Sequence, residues 1–116
     1  MKSIKIEVIK NNHPERDYLV NIEFPEFTCI CPRTGLPDFA TLKIEYIPDK
    51  KLIELKSLKY YFVTFRNVGI FHEYVINQIL EELVAACKPR QLKVAGDFNV
   101  RGGIKTTITA EYKRTA

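Results

Sequence analysis

Apolar and polar residues alternate in four segments of the chain. These segments are residues 18–24, 40–46, 92–100 and 104–112. The alternation predicts half-buried strands, because successive side chains of a strand point to opposite faces of a sheet. We expect Pro25 to end the first strand. Arg101-Gly102-Gly103 is typical of a hairpin turn and should join the last two strands.

Between the two pairs of strands the pattern changes to that of a helix. Apolar residues recur at spacings of three and four over residues 55–65 and again over residues 71–86. This spacing places them on one face of each helix, which is therefore predicted to be buried. Gly69 separates the two helices. Pro89 closes the second one, because the residue before a proline disfavours the helical conformation.

The order of the elements is two strands, two helices and two strands, in a single domain over residues 1–116. Short links favour antiparallel pairing, so we predict an α+β fold with a four-stranded antiparallel sheet and two helices on one face. Ile4, Ile6 and Val8 indicate a further short edge strand. Open sheet edges invite pairing with another copy of the chain, so we expect oligomerisation.

The composition is that of a folded protein. Hydrophobic residues make up 46% of the 116 residues and charged residues 28%, which argues against disorder. There is no apolar run of membrane-spanning length and no signal-peptide core at the start, so we expect a cytoplasmic protein without membrane contact.

The net charge of +4 is spread along the chain, so we expect no direct nucleic-acid partner. Three cysteines build no disulfide framework, and no zinc-ligand spacing occurs.

The loop from Cys31 to Asp38 carries the candidate chemistry. Its sequence is Cys31-Pro32-Arg33-Thr34-Gly35-Leu36-Pro37-Asp38. Prolines and a glycine restrict its shape, and it places a thiol at one end and a carboxylate at the other. These are the groups needed for covalent attack and proton delivery. A turn with an incidental cysteine is the competing interpretation.

Longer motifs connect these elements to a known family. The clearest is Glu54-Leu55-Lys56-Ser57-Leu58-Lys59-Tyr60-Tyr61. The others are Phe27-Thr28-Cys29-Ile30-Cys31-Pro32, Pro37-Asp38-Phe39-Ala40-Thr41, Phe65-Arg66-Asn67, Phe71-His72-Glu73, Pro89-Arg90 and Arg101-Gly102-Gly103-Ile104. In order and spacing, over about residues 24–112, they resemble the NADPH-dependent 7-cyano-7-deazaguanine (preQ0) reductases, the nitrile reductases of queuosine biosynthesis.

The resemblance implies a fold, an assembly and roles for particular residues. It implies the tunnelling fold (T-fold), in which subunits join their sheets into a barrel, and a ring-based homo-oligomer such as a decamer of two pentamers. It makes Cys31 the nucleophile and Asp38 the proton donor. Substrate contacts are assigned to Ile53, Glu54, Leu55, His72 and Glu73, and NADPH contacts to Lys56, Ser57 and Lys59. Leu55 departs from the family pattern, where a small hydroxyl residue is common.

Each of these residues also has an ordinary structural interpretation. Asp38 follows a proline and suits a turn. Glu73 opens a helix, where the macrodipole favours an acid. Lys56 and Lys59 are three residues apart and suit a solvated helix face. The sequence assigns no role to Cys29.

Three activities remain open at the level of sequence. The first is NADPH-dependent reduction of the preQ0 nitrile to 7-aminomethyl-7-deazaguanine (preQ1) through a covalent thioimidate. The second is the reaction of archaeal relatives, which act on the same nitrile within tRNA and use ammonia; the intact segment Lys56-Ser57-Leu58-Lys59 argues against it. The third is a non-catalytic purine- or pterin-binding module, against which Cys31 and Asp38 argue.

Overall fold

A computed structural model describes residues 5–115 of the chain. The elements in chain order are β1 (Val8–Lys10), β2 (Val20–Ile30), β3 (Pro37–Ile47), β4 (Lys51–Ile53), α1 (Leu55–Val63), α2 (His72–Cys87), β5 (Gln91–Arg101) and β6 (Ile104–Lys113). The four long strands form one antiparallel sheet in the order β2-β3-β5-β6. The predicted α+β architecture is therefore confirmed, with α1 and α2 packed over one face of this sheet.

The prediction that Pro25 ends the first strand is wrong. Strand β2 continues through Pro25 to Ile30, and the pairing register with β3 shifts between Phe24 and Phe27. Proline is tolerated here because β2 lies at the edge of the sheet, where a missing N–H need not break a ladder bond. The shift is a β-bulge, which also changes which residues face the helices. Before the bulge the inward residues are even-numbered, and after it they are Phe27 and Cys29.

The N-terminal residues form a strand, but it belongs to a second sheet. Strand β1 pairs antiparallel with β4, a three-residue strand that the sequence pattern did not predict. Of the residues on which the edge strand was predicted, Ile4 lies outside the described residues, and Ile6 is buried in the core. The prediction missed β4 because three residues are too few to display a period.

The segment before β2 is held in place by polar contacts instead of regular structure. Buried Asn11 donates from Nδ2 to the carbonyl of Asp49 at 2.7 Å and accepts at Oδ1 from the Tyr18 hydroxyl at 2.5 Å. Arg90, at the end of the α2–β5 link, donates to Asp17 at 2.8 Å and to Asp49 at 3.0 Å. These contacts tie the segment to the turn after β3 and to the start of β5.

Both helices occupy the predicted regions, and side-chain or backbone caps mark the start of α1 and the end of α2. Glu54 caps α1, because its carboxylate accepts hydrogen bonds from the backbone N–H groups of Lys56 at 2.8 Å and Ser57 at 2.7 Å. Helix α1 ends at Val63, earlier than the pattern predicted, yet Phe65 remains in the core. Lys88 ends α2 in the left-handed conformation, with φ at 46°.

The core lies between the sheet and the helices, and α2 approaches β5 very closely. The inward residues of β3 and β5 are buried in alternation. A Cβ atom placed on Gly96 of β5 would come within 2.5 Å of the Ile76 side chain of α2. Gly96 is therefore required by the packing of helix on sheet. Among residues 5–115 no helix is both long and apolar enough to cross a membrane.

Candidate active site

The loop after β2 is closed by its own backbone. The amide of Cys31 donates to the carbonyl of Leu36 at 2.9 Å, and the amide of Gly35 donates to the carbonyl of Cys31 at 2.8 Å. Gly35 has φ at 73°, a conformation that side chains other than glycine rarely adopt. Two backbone bonds and one left-handed glycine therefore hold the Cys31 thiol at the end of β2.

The link between the helices brings a second element to this loop. The amide of Ile30 donates to the carbonyl of Val68 at 2.9 Å, and the amide of Ile70 donates to the carbonyl of Ile30 at 3.0 Å. The link therefore pairs with the end of β2 as a short parallel bridge. Helix α2 begins at His72, directly after this bridge. The first turn of α2 is thus placed next to Cys31, which is distant in sequence.

Asp38 occupies the first inward-facing position of β3. It continues the series of buried even-numbered residues of that strand, and only 6% of its surface is exposed. The Nε2 atom of His72 lies 3.0 Å from Asp38 Oδ2, a hydrogen-bond distance. The His72 ring also stacks on Phe98, with ring centroids 3.7 Å apart and planes 6° apart. The stacking and the hydrogen bond together fix the orientation of the imidazole.

The thiol of Cys31 is the more reactive of the two thiols on this edge of the sheet. A hydrogen bond from the Thr34 hydroxyl lowers the pKa of Cys31 below its ordinary value, and the amides of Thr34 and Arg33 act in the same direction. Partial burial and the Asp38 carboxylate oppose them. In contrast, burial raises the pKa of Cys29 to about 11. Cys31 is therefore the better nucleophile, because the thiolate is the reactive form.

Cys31, Asp38, His72 and Glu73 line one cavity of about 240 Å³. Asn99, Arg101, Ile104 and Thr106 of the β5–β6 hairpin line it as well. Glu73 is exposed, and its carboxylate forms no ion pair with any described residue. The cavity therefore combines a nucleophilic thiol, a buried carboxylate paired with a partly exposed imidazole, and a second carboxylate that can accept hydrogen bonds.

The other predicted site residues lie at the start of α1 and do not line this cavity. They are Ile53, Glu54, Leu55, Lys56, Ser57 and Lys59. Ile53 is buried, and its amide donates to the Tyr46 hydroxyl at 3.0 Å. Leu55 is 60% exposed. Their roles toward substrate and NADPH stay predictions.

Ser57 and the two lysines differ in whether their polar groups are already used within the chain. The buried Ser57 hydroxyl donates to the carbonyl of Glu54 at 2.9 Å and accepts from the amide of Glu7 at 2.9 Å. It therefore links the residue before β1 to α1. Lys56 and Lys59 are exposed, and neither ammonium forms an ion pair within the described part of the chain.

A larger cleft of about 1080 Å³ lies elsewhere, between the N-terminal segment and the two helices. None of the predicted site residues lines it. The Tyr61 hydroxyl donates to the Glu82 carboxylate at its wall. In size it exceeds the cavity at Cys31, but no cysteine is among the described residues that line it. We therefore place the candidate chemistry at Cys31.

Comparison with known proteins identifies the family of this chain. Residues 37–116 match the family model described as QueF-like protein. The chain belongs to the QueF-like family. A relative from Nitrosococcus oceani is 56% identical over 95% of this chain and 85% of its own length. A relative from Chlorobium luteolum is 53% identical over the full length of both chains. Both are named NADPH-dependent 7-cyano-7-deazaguanine reductase.

The fold of this QueF-like chain also matches a solved structure. The crystal structure of an archaeosine synthase QueF-Like in the apo form superposes with a TM-score of 0.78 at 24% identity. The match covers 84% of this chain and 96% of the other. At this identity the likeness establishes the shared fold and says nothing of activity. The expected T-fold topology is therefore confirmed, and the barrel assembly stays a prediction.

Sequence reasoning on this QueF-like chain missed two contributors to the site. Thr34 was treated only as part of the loop, although its hydroxyl acts on Cys31. Arg101 was predicted only as a turn residue, although its Nε atom lies 3.6 Å from Asp38 Oδ1. The sequence signal for Thr34 was its position three residues after the cysteine. For Arg101 the only signal was its place in a family motif.

Proposed function

We propose that this chain reduces the nitrile of preQ0 to the aminomethyl group of preQ1 with NADPH, in queuosine biosynthesis. The observation that carries the proposal is the cavity that Cys31 shares with the Asp38–His72 pair. Support comes from the curated relatives, which have this reductase name at 53–58% identity. The geometry suits covalent attack on an electrophilic carbon, followed by proton delivery.

In the first step the Cys31 sulfur adds to the nitrile carbon. The thiol proton passes to Asp38, the new S–C bond forms, and one electron pair of the C≡N bond moves to nitrogen. Asp38 then gives the proton to that nitrogen, so that the net change is addition of S–H across the nitrile. The product is a thioimidate on Cys31. The lowered pKa of Cys31 favours this step, because it raises the thiolate fraction at neutral pH.

His72 holds the Asp38 carboxylate during the proton transfers. Its ring is fixed by Phe98 on one face and by the 3.0 Å contact with Asp38 Oδ2 at its edge. Because His72 is fixed in this way, it keeps the Asp38 carboxylate oriented toward the reacting nitrogen. Glu73 accepts hydrogen bonds from the adjacent N–H donors of the guanine-like edge, because a carboxylate can accept two such bonds side by side.

Lys56 and Lys59 are assigned to the phosphates of NADPH, and each of two NADPH molecules bound in turn would supply one of the two hydrides of the reduction. Two exposed ammonium groups without ion-pair partners suit anionic phosphates. The N–H groups of Lys56 and Ser57 are already capped by Glu54, so the lysine side chains and not the helix N-terminus would bind the phosphates. Ile53, Glu54 and Leu55 would approach the substrate from the same segment.

In the assembly, the segment at the start of α1 of one subunit would lie beside the Cys31 cavity of another subunit. The two would together form one complete site. The proposed assembly is a ring-based homo-oligomer, with a decamer of two pentamers as its family form, located in the cytoplasm. It is supported by the two outer strands of the sheet, β2 and β6, each of which has one unpaired edge within the described residues.

One experiment tests the function directly. Purified protein is mixed with preQ0 and NADPH, and cofactor oxidation and preQ1 formation are followed together. Two NADPH should be consumed for each preQ1. Without NADPH, intact-protein mass spectrometry should show one preQ0 added per chain, and Cys31→Ala should show none. Conversion with ammonia in place of NADPH, or an adduct in Cys31→Ala, would overturn the proposal.

A further inference from the structure

We propose that Arg101 is a positioning residue for Asp38 in the covalent step, a role that rests on the proposed function above. The Arg101 Nη2 atom donates to the carbonyl of Pro37, and its Nε atom lies 3.6 Å from Asp38 Oδ1. The other carboxylate oxygen, Oδ2, contacts His72 at 3.0 Å. Asp38 is thus held on two sides by two elements, the end of β5 and the start of α2.

A β-bulge in β5 places Arg101 on the active-site face. The register with β6 shifts between Phe98 and Arg101, so that β5 carries one extra residue there. Phe98 is buried and faces the helices, and alternation alone would turn residue 101 to the opposite face. The extra residue restores Arg101 to the face of Phe98. The hairpin then closes through Gly102 and Gly103, with φ at 60° and 80°.

The charges around Cys31 give this placement a chemical consequence. Asp38 from β3 and Glu73 from α2 bring negative charge to the cavity, His72 adds a neutral or cationic imidazole, and Arg101 from β5 adds a cation. Among the described residues that line the cavity, Arg101 is the one lysine or arginine. Partial burial and the Asp38 carboxylate both raise the pKa of Cys31. A guanidinium facing Asp38 offsets the effect of the carboxylate and favours the thiolate.

The test compares Arg101→Ala with Arg101→Lys and with Arg66→Ala as a matched control. Arg66 is exposed, and its side chain makes no ion pair within residues 5–115. Three quantities are measured: the rate of preQ0 adduct formation without NADPH, its half-saturating preQ0 concentration, and the pH midpoint of iodoacetamide alkylation at Cys31, followed by peptide mass. Thermal unfolding of each variant is recorded alongside.

Arg101→Ala should slow adduct formation at saturating preQ0 by on the order of tenfold to a hundredfold, as small misplacements of a reacting group do. The half-saturating concentration should change little. The alkylation midpoint should move to higher pH, because Asp38 then acts on the thiolate without compensation. Free guanidinium, at concentrations that leave thermal unfolding unchanged, should restore part of the rate, and Arg101→Lys should retain part of it.

Other outcomes would overturn the proposal. A higher half-saturating concentration with an unchanged maximal rate would make Arg101 a substrate contact instead. An unchanged alkylation midpoint together with an unchanged adduct rate would remove it from the site. If Arg101→Ala unfolds, Arg101→Gln replaces it in the same comparison. If the wild type itself forms no adduct and oxidises no NADPH, the proposed function fails, whereas the alkylation midpoints still test Arg101.

Discussion

At the scale of single residues, the reactivity of Cys31 depends on its nearest hydroxyl. Thr34 lowers the pKa of Cys31 through a hydrogen bond to the sulfur, so the thiolate fraction at neutral pH is larger than for an ordinary cysteine. Cys29, two residues earlier, has the opposite environment, because burial raises its pKa to about 11. Two cysteines at the end of one edge strand, two residues apart, therefore differ in chemistry through burial and hydrogen bonding.

Replacing Thr34 should change the pH dependence of Cys31 alkylation. In Thr34→Ala the hydrogen bond that lowers the pKa is lost, so the alkylation midpoint should move to higher pH and the rate at neutral pH should fall. Thr34→Ser keeps the hydroxyl and serves as the matched control. A midpoint that is the same in Thr34→Ala and in the wild type would contradict the role of Thr34.

Asp38 should matter for proton transfer more than for folding. Asp38→Asn keeps the shape and can still bond His72, but it cannot accept and release the proton, so turnover should fall on the order of a hundredfold or more. Thermal unfolding and preQ0 turnover are measured on the same preparation. Asp97→Asn makes the same change on the opposite face of the sheet and should leave turnover near the wild-type value. Normal turnover in Asp38→Asn would show that Asp38 takes no part in the mechanism.

At the scale of elements, the two bulges decide which residues reach the site. The bulge in β2 brings Cys29 to the inward face, and the bulge in β5 does the same for Arg101. The contact between the α1–α2 link and Ile30 then sets where α2 begins. The site is therefore built where regular alternation of the strands is interrupted.

The close approach of α2 to β5 makes Gly96 intolerant of any side chain. In Gly96→Ala the new Cβ would lie 2.5 Å from the side chain of Ile76, which is fully buried. We expect a loss of about 1–3 kcal/mol in the free energy of unfolding, measured by urea denaturation. Gly69→Ala is the control, since its Cβ would meet Pro32 at 3.8 Å, an ordinary contact. Equal stability of both variants would contradict the packing argument.

The first turn of α1 should serve the cofactor and not the covalent step. Replacing Lys56 and Lys59 together by alanine should raise the apparent Michaelis constant for NADPH, because two phosphate-binding charges are lost. Formation of the preQ0 adduct without NADPH should be unchanged. The control is Lys10→Ala, on β1. An equal loss of adduct formation in the double variant would indicate a structural or substrate role.

At the scale of the whole molecule, the chain is a slab with unpaired edges. It measures 47 × 29 × 22 Å, and its radius of gyration of 14.6 Å exceeds the roughly 13 Å expected for a compact chain of this length. Large apolar side chains are exposed around the cavity, with Leu36 at 54%, Phe71 at 42% and Ile104 at 69%. An apolar rim beside open strand edges is typical of a surface covered by another subunit.

Activity should therefore depend on assembly. Val100 is 62% exposed beside the bulge of β5 and does not line the cavity. Val100→Glu should yield folded monomers in size-exclusion chromatography with light scattering, and these should reduce no preQ0. Ile9→Glu places the same charge on exposed β1 and should leave assembly and turnover intact. A folded Val100→Glu monomer with full activity would contradict a site shared between subunits.

The sequence by itself determined the class of fold, because it depends on periodicity that each segment carries locally. The four alternating segments became the four strands of the main sheet, and the two helical patterns became α1 and α2. The motifs also identified the cysteine loop and the start of α2, and four of the residues predicted there line one cavity. The pattern placed Asp38 in the loop, whereas in the structure β3 begins at Pro37 and Asp38 extends its buried alternation.

Only the tertiary structure decided the features that depend on contacts between distant segments. Strand β2 runs through Pro25 because it is an edge strand, a position that local sequence does not specify. The pairing of β1 with β4 and the bridge from Ile30 to Gly69 are likewise long-range. Arg101 reaches Asp38 because an extra residue in β5 reverses the side-chain alternation. In β5 the apolar alternation of Phe98 and Val100 gives no sign of the extra residue, so its chemical effect appears only in three dimensions.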